Sequence, residues 1–312
     1  MDLLSHSVVH LGFHLPDRAR FRVTGADSLR YLNGQLTQDL KRVTERLALP
    51  ACITSAKGRL QAEVWVLADG RSPSQMALLL DAPGELREQL LARLERYIVA
   101  DDVGIEDVSG TAELFHFPGS EMPEVAGRFG VVCAQASRLG MGGWDLWVPT
   151  AETASFCEAM GERLGGIRDY ERLRIEQGIP AWGTELTEET LPPEAGLDKT
   201  HIDYHKGCYI GQEVISRLKS VGHVNQTLRR FKGRAGDGPI KPGHTAHEGP
   251  LAKELLYMPG IRETSVGRLT SVFFGADGEI SALGYLKRGV DGEEFETASG
   301  ATLAAVPEPV VR

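Results

Sequence analysis

The chain reads KGCYIGQE from Lys206 to Glu213, and this stretch is the best starting point for predicting its fold and function. An ammonium, a thiol, a phenol, an amide and a carboxylate stand close together there, with two glycines between them. Glycine has no Cβ and tolerates positive φ, so it allows backbone or a ligand to come close. The residues from Gln212 onward are typical of a short helix, which would put Cys208 near a helix N-terminus. The helix dipole and Lys206 would then favour the thiolate, and the combination predicts a functional site.

The alternative for Cys208 is a small buried side chain, the usual environment of a free cysteine. A lysine and two glycines are poor neighbours for a core, so the functional interpretation is preferred. The remaining cysteines stand in apolar patterns and are predicted to be structural: Cys52, Cys133 and Cys157. Because the four cysteines form no CxxC pair and have no histidine at ligand spacing, no metal site is predicted.

Composition narrows the function classes. A length of 312 residues suggests more than one domain. The formal net charge of -9 argues against a protein that coats nucleic acid. Basic residues between Arg217 and Arg234 are either a solvated face or an RNA-contacting strip, and the solvated face is preferred. Neither a signal peptide nor a membrane-spanning run is recognised, so a cytoplasmic protein is expected.

Hydrophobic periodicity predicts short strands separated by helices. The predicted helices cover residues 28–34, 83–97 and 151–164, and the clearest strands cover 19–23, 51–54, 60–67 and 144–148. The links between strands are often too short for parallel crossovers, so the predicted class is α+β, with antiparallel sheets and helices packed on one face. No GxGxxG follows a strand, so a dinucleotide-binding sheet lacks its fingerprint.

The composition changes near Gly233, where a turn-rich segment begins. Short strand-like runs with turn signals follow, at 265–269, 271–274 and 280–286. This spacing predicts a small antiparallel β-barrel. The expected domains are an α+β region over 1–229, subdivided near 105–110, and a barrel over 230–312.

Two further segments contain candidate binding residues. Asp145 follows Trp144 in an alternating strand, and a carboxylate beside large aromatics can read a flat heterocycle; a half-exposed strand explains the pattern equally well. Arg174 and Glu176 flank Ile175 near a predicted helix end. An arginine there can hold a carboxylate with two hydrogen bonds, although a local surface ion pair is the commoner situation.

These segments together resemble a known family. Lys206 to Glu213 is similar to the signature KGCYxGQE of the YgfZ family, which comprises folate-binding proteins linked to iron–sulfur cluster maintenance and tRNA modification. That family is related to GcvT, the aminomethyltransferase of the glycine cleavage system. Other matching segments extend the resemblance over most of the chain: 21–27, 33–39, 57–59, 173–180 and 266–271.

The resemblance implies a GcvT-like folate-binding α+β fold, a C-terminal β-barrel and tetrahydrofolate as cofactor. It implies that Asp145 takes the place of the acidic residue that holds the pterin ring, and that Arg174 contributes to the same folate site. The predicted folate-binding residues are Asp145, Arg174, Glu176, Tyr209 and Trp144. The predicted catalytic residues are Cys208, Lys206 and Glu63.

One departure from the relatives affects the reaction. GcvT enzymes have paired aspartates where this chain has Gln61, Ala62 and Glu63. One carboxylate is retained on a longer side chain, so folate binding is expected while aminomethyl transfer is disfavoured. The function implied is folate-dependent assembly or repair of iron–sulfur clusters, with iron–sulfur enzymes or assembly proteins as partners and an indirect effect on tRNA modification. The alternatives are a GcvT-type aminomethyltransferase or demethylase, and a non-catalytic scaffold for iron–sulfur assembly.

Overall fold

The computed structural model describes residues 11–70, 77–119, 121, 124–234, 253–275 and 278–307. The chain divides into two units. Unit 1 contains Met1–Ile167 and Leu197–Ser220, and unit 2 contains Arg168–Gly196 and Val221–Arg312. Most of the turn-rich segment predicted after Gly233 lies outside the described residues.

Unit 1 combines helices with two sheets. Its helices are α1 (Ser28–Gln35), α2 (Arg87–Glu95) and α3 (Thr153–Met160), and a fourth, α5, runs over Gln212–Ser220. Its strands are β1 (Gly12–Leu15), β2 (Arg18–Thr24), β3 (Leu49–Thr54), β4 (Leu60–Ala68), β5 (Leu78–Pro83), β6 (Gly104–Asp107), β7 (Ala112–Pro118), β8 (Val132–Gln135), β9 (Gly143–Pro149) and β10 (Leu164–Gly165). Each helix and strand predicted for this region is present, with boundaries shifted by a few residues.

The first sheet has the strand order β3-β4-β5-β2-β6, and all of its neighbours are antiparallel. Its register pairs Cys52 with Glu63 and Trp65 with Asp81. Directly paired residues in antiparallel strands point to the same side, and side chains two apart on one strand do so as well. The register therefore gathers two acidic side chains and a tryptophan on one face of this sheet.

The second sheet has the order β10-β1-β7-β9-β8, in which only the β1–β10 pair is parallel. One face is apolar: Phe115 and Leu146 pack with Phe156 of α3. The opposite face carries Asp145 and its direct partner on β7, His116. Small residues in β8 and just after it pack against the first sheet, since Ala134 and Ala136 share a core cluster with Trp65, Leu67 and Leu79. The polar face of the second sheet thus looks towards the acidic face of the first.

Unit 2 is built around a closed six-stranded barrel with the order β11-β14-β13-β12-β15-β16. Its strands are β11 (Gln226–Arg234), β12 (Leu255–Tyr257), β13 (Gly267–Phe274), β14 (Glu279–Lys287), β15 (Glu294–Thr297) and β16 (Thr302–Val306). Helix α4 (Ile167–Gln177) packs its Ile175 against Phe273 and Leu283 of the barrel. The predicted α+β class and C-terminal barrel are confirmed, and the unit that holds the barrel also includes residues 168–196 and 221–229.

Candidate functional site

The backbone conformation of the KGCYIGQE segment depends on Gly211. Gly211 has a φ of +88°, and a Cβ at this position would lie 2.6 Å from the carbonyl oxygen of Ser55. Only glycine combines this backbone conformation with so close an approach. The next residue starts α5, so the predicted helix after Gly211 is confirmed.

Lys206 anchors the start of the same segment. Its Nζ donates to the carbonyl oxygens of Asn33, Leu36 and Gln38, each at 2.7 Å. These acceptors use all three N–H groups of the ammonium, so the contacts found for Lys206 attach the segment to the end of α1. Burial lowers the pKa of Lys206 to about 8, which leaves the side chain mainly protonated at neutral pH. That Lys206 activates Cys208 stays a prediction.

Cys208 and Tyr209 point to different environments. Cys208 is exposed, whereas Cys52 is buried and its pKa is raised by burial. Tyr209 packs with Ile202 and Ile215 in a small core. Burial also raises the pKa of Tyr209, and within the described part of the chain its hydroxyl has no hydrogen-bond partner. The segment therefore presents a thiol to solvent on a backbone that is anchored from inside.

Glu63 lies on the acidic face of the first sheet and pairs with a histidine that the sequence patterns did not mark. Its Oε1 accepts a hydrogen bond from Nε2 of His201 at 3.0 Å. The side chain of Glu63 keeps 21% of its surface exposed, and no described residue donates to Oε2. Burial raises the pKa of Glu63, but the hydrogen bond from His201 and the charges of Arg18 and Arg138 outweigh it, so the pKa is lowered and the carboxylate is ionised at neutral pH.

Asp145 belongs to a chain of ion pairs between the two sheets of unit 1. Arg138 bridges the two carboxylates, at 2.6 Å from Asp81 and 2.7 Å from Asp145. Arg18 binds Asp81 with two hydrogen bonds of 3.0 and 2.8 Å. At the other end Nδ1 of His116 lies 2.9 Å from Oδ1 of Asp145. Together with Glu63 and His201 we call these side chains the polar layer: Arg18, Glu63, Asp81, His116, Arg138, Asp145 and His201.

The environment of Asp145 is more enclosed than that of Glu63. Asp145 is 1% exposed, and both of its oxygens accept hydrogen bonds from the polar layer. Burial raises its pKa, but the charge of Arg138 and the hydrogen bond from His116 lower it further, so the net shift is downward. In this structure the carboxylate of Asp145 is hydrogen-bonded to His116 and Arg138. Its contact with a pterin stays a prediction.

The tryptophan next to these carboxylates is Trp65, on the first sheet. The guanidinium of Arg138 lies 4.8 Å from the centre of the Trp65 ring, and the ring of His201 meets it edge-on at 6.2 Å. Trp144, the predicted aromatic, packs on the apolar face of the second sheet. It therefore lies on the opposite side of β9 from Asp145.

Arg174 and Glu176 lie in unit 2. Every nitrogen of the Arg174 side chain has a partner: Nε binds Glu171, one terminal nitrogen binds Glu185, and the other binds Glu171 and Ser271. Glu176 accepts from Arg172 at 2.8 Å on the same helix. Both residues therefore make ion pairs inside unit 2, and their folate contacts stay predictions.

Sequence reasoning missed five members of the polar layer: Arg18, Asp81, His116, Arg138 and His201. No local motif marks them, because they are brought together by strand register and by long-range contacts.

In the described part of the chain, no group of three or more His, Cys, Asp or Glu side chains is arranged to hold a metal ion. None of the described helices combines the length and apolar character that a membrane span requires.

Comparisons with known proteins identify relatives. No protein-family model matches the chain. The chain is 25% identical over 297 residues to a putative chloroplastic transferase of Arabidopsis thaliana, covering 86% of this chain and 63% of that protein, so it spans less than two thirds of that relative. It is 28% identical over 253 residues to the tRNA-modifying protein YgfZ of Escherichia coli, covering 72% of each. In fold it is similar to aminomethyltransferase T of the glycine cleavage system from Bartonella henselae, with a TM-score of 0.75, 17% identity, and coverage of 99% of this chain and 89% of that one. The chain is therefore similar in sequence to the tRNA-modifying protein YgfZ and has the fold of the GcvT aminomethyltransferase.

Proposed function

We propose that this protein binds a reduced folate, tetrahydrofolate, and acts in the folate-dependent assembly or repair of iron–sulfur clusters in the cytoplasm. Its partners would be iron–sulfur enzymes or the proteins that assemble their clusters. An effect on tRNA modification would be indirect, through enzymes that depend on such clusters. When bound, the folate would supply or accept a one-carbon unit.

The observation that supports the folate proposal is that the carboxylate of Glu63 is partly exposed and hydrogen-bonded through only one of its oxygens among the described residues. A pterin presents amino and ring N–H groups, and an ionised carboxylate is a strong acceptor for them. Glu63 is ionised, partly exposed, and without a donor to Oε2 among the described residues. Asp81 and Asp145, in contrast, have both oxygens occupied by protein donors. Glu63 is therefore the carboxylate of the polar layer that is best suited to receive a ligand.

Calorimetric titration of the purified protein with tetrahydrofolate tests this proposal. We expect saturable binding by the wild type and at least about tenfold weaker binding by Glu63→Gln, because a hydrogen bond to a charged group contributes roughly 1.5–3 kcal/mol. Glu106→Gln is the control, since Glu106 is an exposed carboxylate on β6 of the same sheet. Failure of the wild type to bind tetrahydrofolate would refute the proposal.

Cys208 is proposed as the residue that links folate binding to cluster chemistry, as a reactive, sulfur-carrying or transient metal-binding thiol. Support comes from its exposure on the anchored KGCYIGQE segment. In a strain that lacks its own family member, we expect Cys208→Ala to fold and bind folate but to fail to restore growth. Cys157→Ala is the matched control and should complement. Full complementation by Cys208→Ala would disprove this role.

A GcvT-type aminomethyltransferase or demethylase is the second candidate, and the fold similarity to aminomethyltransferase T favours it. The test is turnover: tetrahydrofolate and an N-methyl or lipoyl-aminomethyl donor should yield methylene-tetrahydrofolate if this candidate is correct. We expect none, because one carboxylate stands where the relatives have a pair of aspartates. A non-catalytic scaffold would be favoured instead if Glu63→Gln lost folate binding yet still complemented.

A further inference from the structure

The backbone at His201 is fixed to the loop that follows α1. The hydroxyl of Thr37 donates to the carbonyl oxygen of His201 at 2.6 Å, and the amide of Gln38 donates to that of Thr200 at 3.0 Å. Thr37 is itself tied to β3, because the backbone N–H of Cys52 donates to its hydroxyl at 2.8 Å. The Cα of His201 is therefore held from two elements of unit 1 before its ring makes any contact.

The imidazole of His201 has a contact on each of its nitrogens. Nε2 lies 3.0 Å from Oε1 of Glu63, and Nδ1 lies 2.7 Å from the hydroxyl of Thr200. An ionised carboxylate can only accept, so Nε2 carries the hydrogen. In the neutral ring Nδ1 then accepts from Thr200, whose hydroxyl can donate. With its edge against Trp65, the ring has one orientation that satisfies all of these contacts.

This arrangement matters because Glu63 has a long side chain. Fixing a glutamate side chain costs conformational entropy, which a ligand would otherwise have to offset. Holding Oε1 at His201 orders the carboxylate beforehand and leaves Oε2 as the acceptor. The histidine thus compensates for the additional methylene of glutamate relative to an aspartate at the same position.

We propose that His201 is the positioning residue for Glu63, and that its Nε2–H holds Oε1 so that Oε2 receives an N–H group of the reduced pterin. The inference rests on the proposed folate binding and names the residue that orients its acceptor. His201 acts through Glu63 and makes no contact with the folate itself.

The test compares amide side chains of two lengths at position 201 by calorimetric titration with tetrahydrofolate. In His201→Gln the amide N–H can occupy the place of Nε2, whereas in His201→Asn it falls short of Glu63. We expect His201→Gln to bind within about threefold of the wild type, and His201→Asn and His201→Ala to bind about tenfold more weakly. In the Glu63→Gln background the same three substitutions should have no further effect on binding.

A purely structural role would weaken binding equally in both backgrounds and would not distinguish the two amides. Equal affinities of His201→Gln and His201→Asn would overturn the inference, as would wild-type affinity in His201→Ala. These outcomes leave the proposed function intact, provided that the wild type binds tetrahydrofolate and Glu63→Gln binds it more weakly. If the wild type does not bind tetrahydrofolate, the proposed function and this inference both fail. Thermal unfolding of each variant checks that the comparison is made on folded protein.

Discussion

At the scale of single residues, the surroundings of two carboxylates separate their roles. Asp145 is enclosed and bound on both oxygens, while Glu63 is half-buried and bound on one. A buried charge is tolerated only when it is paired and hydrogen-bonded, so removing one partner leaves the other uncompensated. Asp145 is therefore expected to contribute to stability, and Glu63 to ligand binding.

Replacement of Asp145 by asparagine tests the stabilising role. At pH 7 we expect Asp145→Asn to lower the free energy of unfolding by roughly 3–5 kcal/mol, because Arg138 keeps its buried charge and loses one of its carboxylates. The folded-state pKa of Asp145 is lowered. Its contribution is thus complete above the unfolded-state pKa of about 4 and is lost as the pH falls through the folded-state value. Urea unfolding between pH 3 and pH 7 measures both effects.

The difference in stability between wild type and Asp145→Asn should therefore shrink below about pH 4. Glu106→Gln is the control, because its carboxylate is exposed and lies 3.9 Å from Arg22. We expect this control to change the free energy of unfolding by less than about 1 kcal/mol. A loss in Asp145→Asn that is the same at pH 3 as at pH 7 would contradict the pH argument.

At the scale of structural elements, the KGCYIGQE segment joins α1, the β3–β4 hairpin and α5. Lys206 attaches it to the end of α1, and the hydroxyl of Thr54 on β3 donates to the carbonyl oxygen of Ile210 at 2.5 Å. Gly211 then brings the chain against the hairpin before α5 begins. The segment that resembles the YgfZ signature is thus the connection between three elements of unit 1.

The two glycines of this segment give a matched pair of substitutions. Gly211→Ala should lower the free energy of unfolding by roughly 1–3 kcal/mol, because φ is +88° and the new Cβ would lie 2.6 Å from the Ser55 carbonyl oxygen. Gly207→Ala should be nearly neutral, since a Cβ there meets nothing within 4 Å and its φ is not positive. Thermal or urea unfolding compares the two. Similar losses of unfolding free energy in both variants would show that the close approach at Gly211 does not determine the stability of the segment.

The sequence was sufficient for elements whose signals are local. Alternation predicted β2 and β9, the residues after Gly211 predicted α5, and closely spaced short strands predicted the barrel. The hydrogen bonds by which Lys206 anchors the segment were not predicted, because their acceptors lie 168–173 residues earlier in the chain. His201 was missed for the same reason, since its partner Glu63 is 138 residues away. Periodicity encodes which side of an element is buried, and it carries no information on which distant side chain is met there.

At the scale of the whole molecule, each unit has its own buried ionic network. Unit 1 has the polar layer, and unit 2 has the cluster around Arg174, which connects α4 to the barrel through Ser271 on β13. Segments 206–213 and 173–180, both of which resemble segments of YgfZ and GcvT proteins, fall in different units. Substitutions in the two networks should therefore destabilise different parts of the chain.

Arg174 gives the sharpest test of the network in unit 2. Arg174→Ala would leave Glu185, whose side chain is fully buried, without its ion-pair partner at 3.0 Å. We expect the free energy of unfolding of unit 2 to fall by roughly 3–5 kcal/mol, with proteolysis starting within that unit. Arg172→Ala, two residues earlier on α4, removes a half-exposed pair with Glu176 and should cost less than about 1 kcal/mol. Urea unfolding followed by limited proteolysis and mass spectrometry locates the loss. If Arg174→Ala were no less stable than Arg172→Ala, the buried cluster would not hold α4 to the barrel, and the predicted contact of Arg174 with folate would become the better explanation for the arginine.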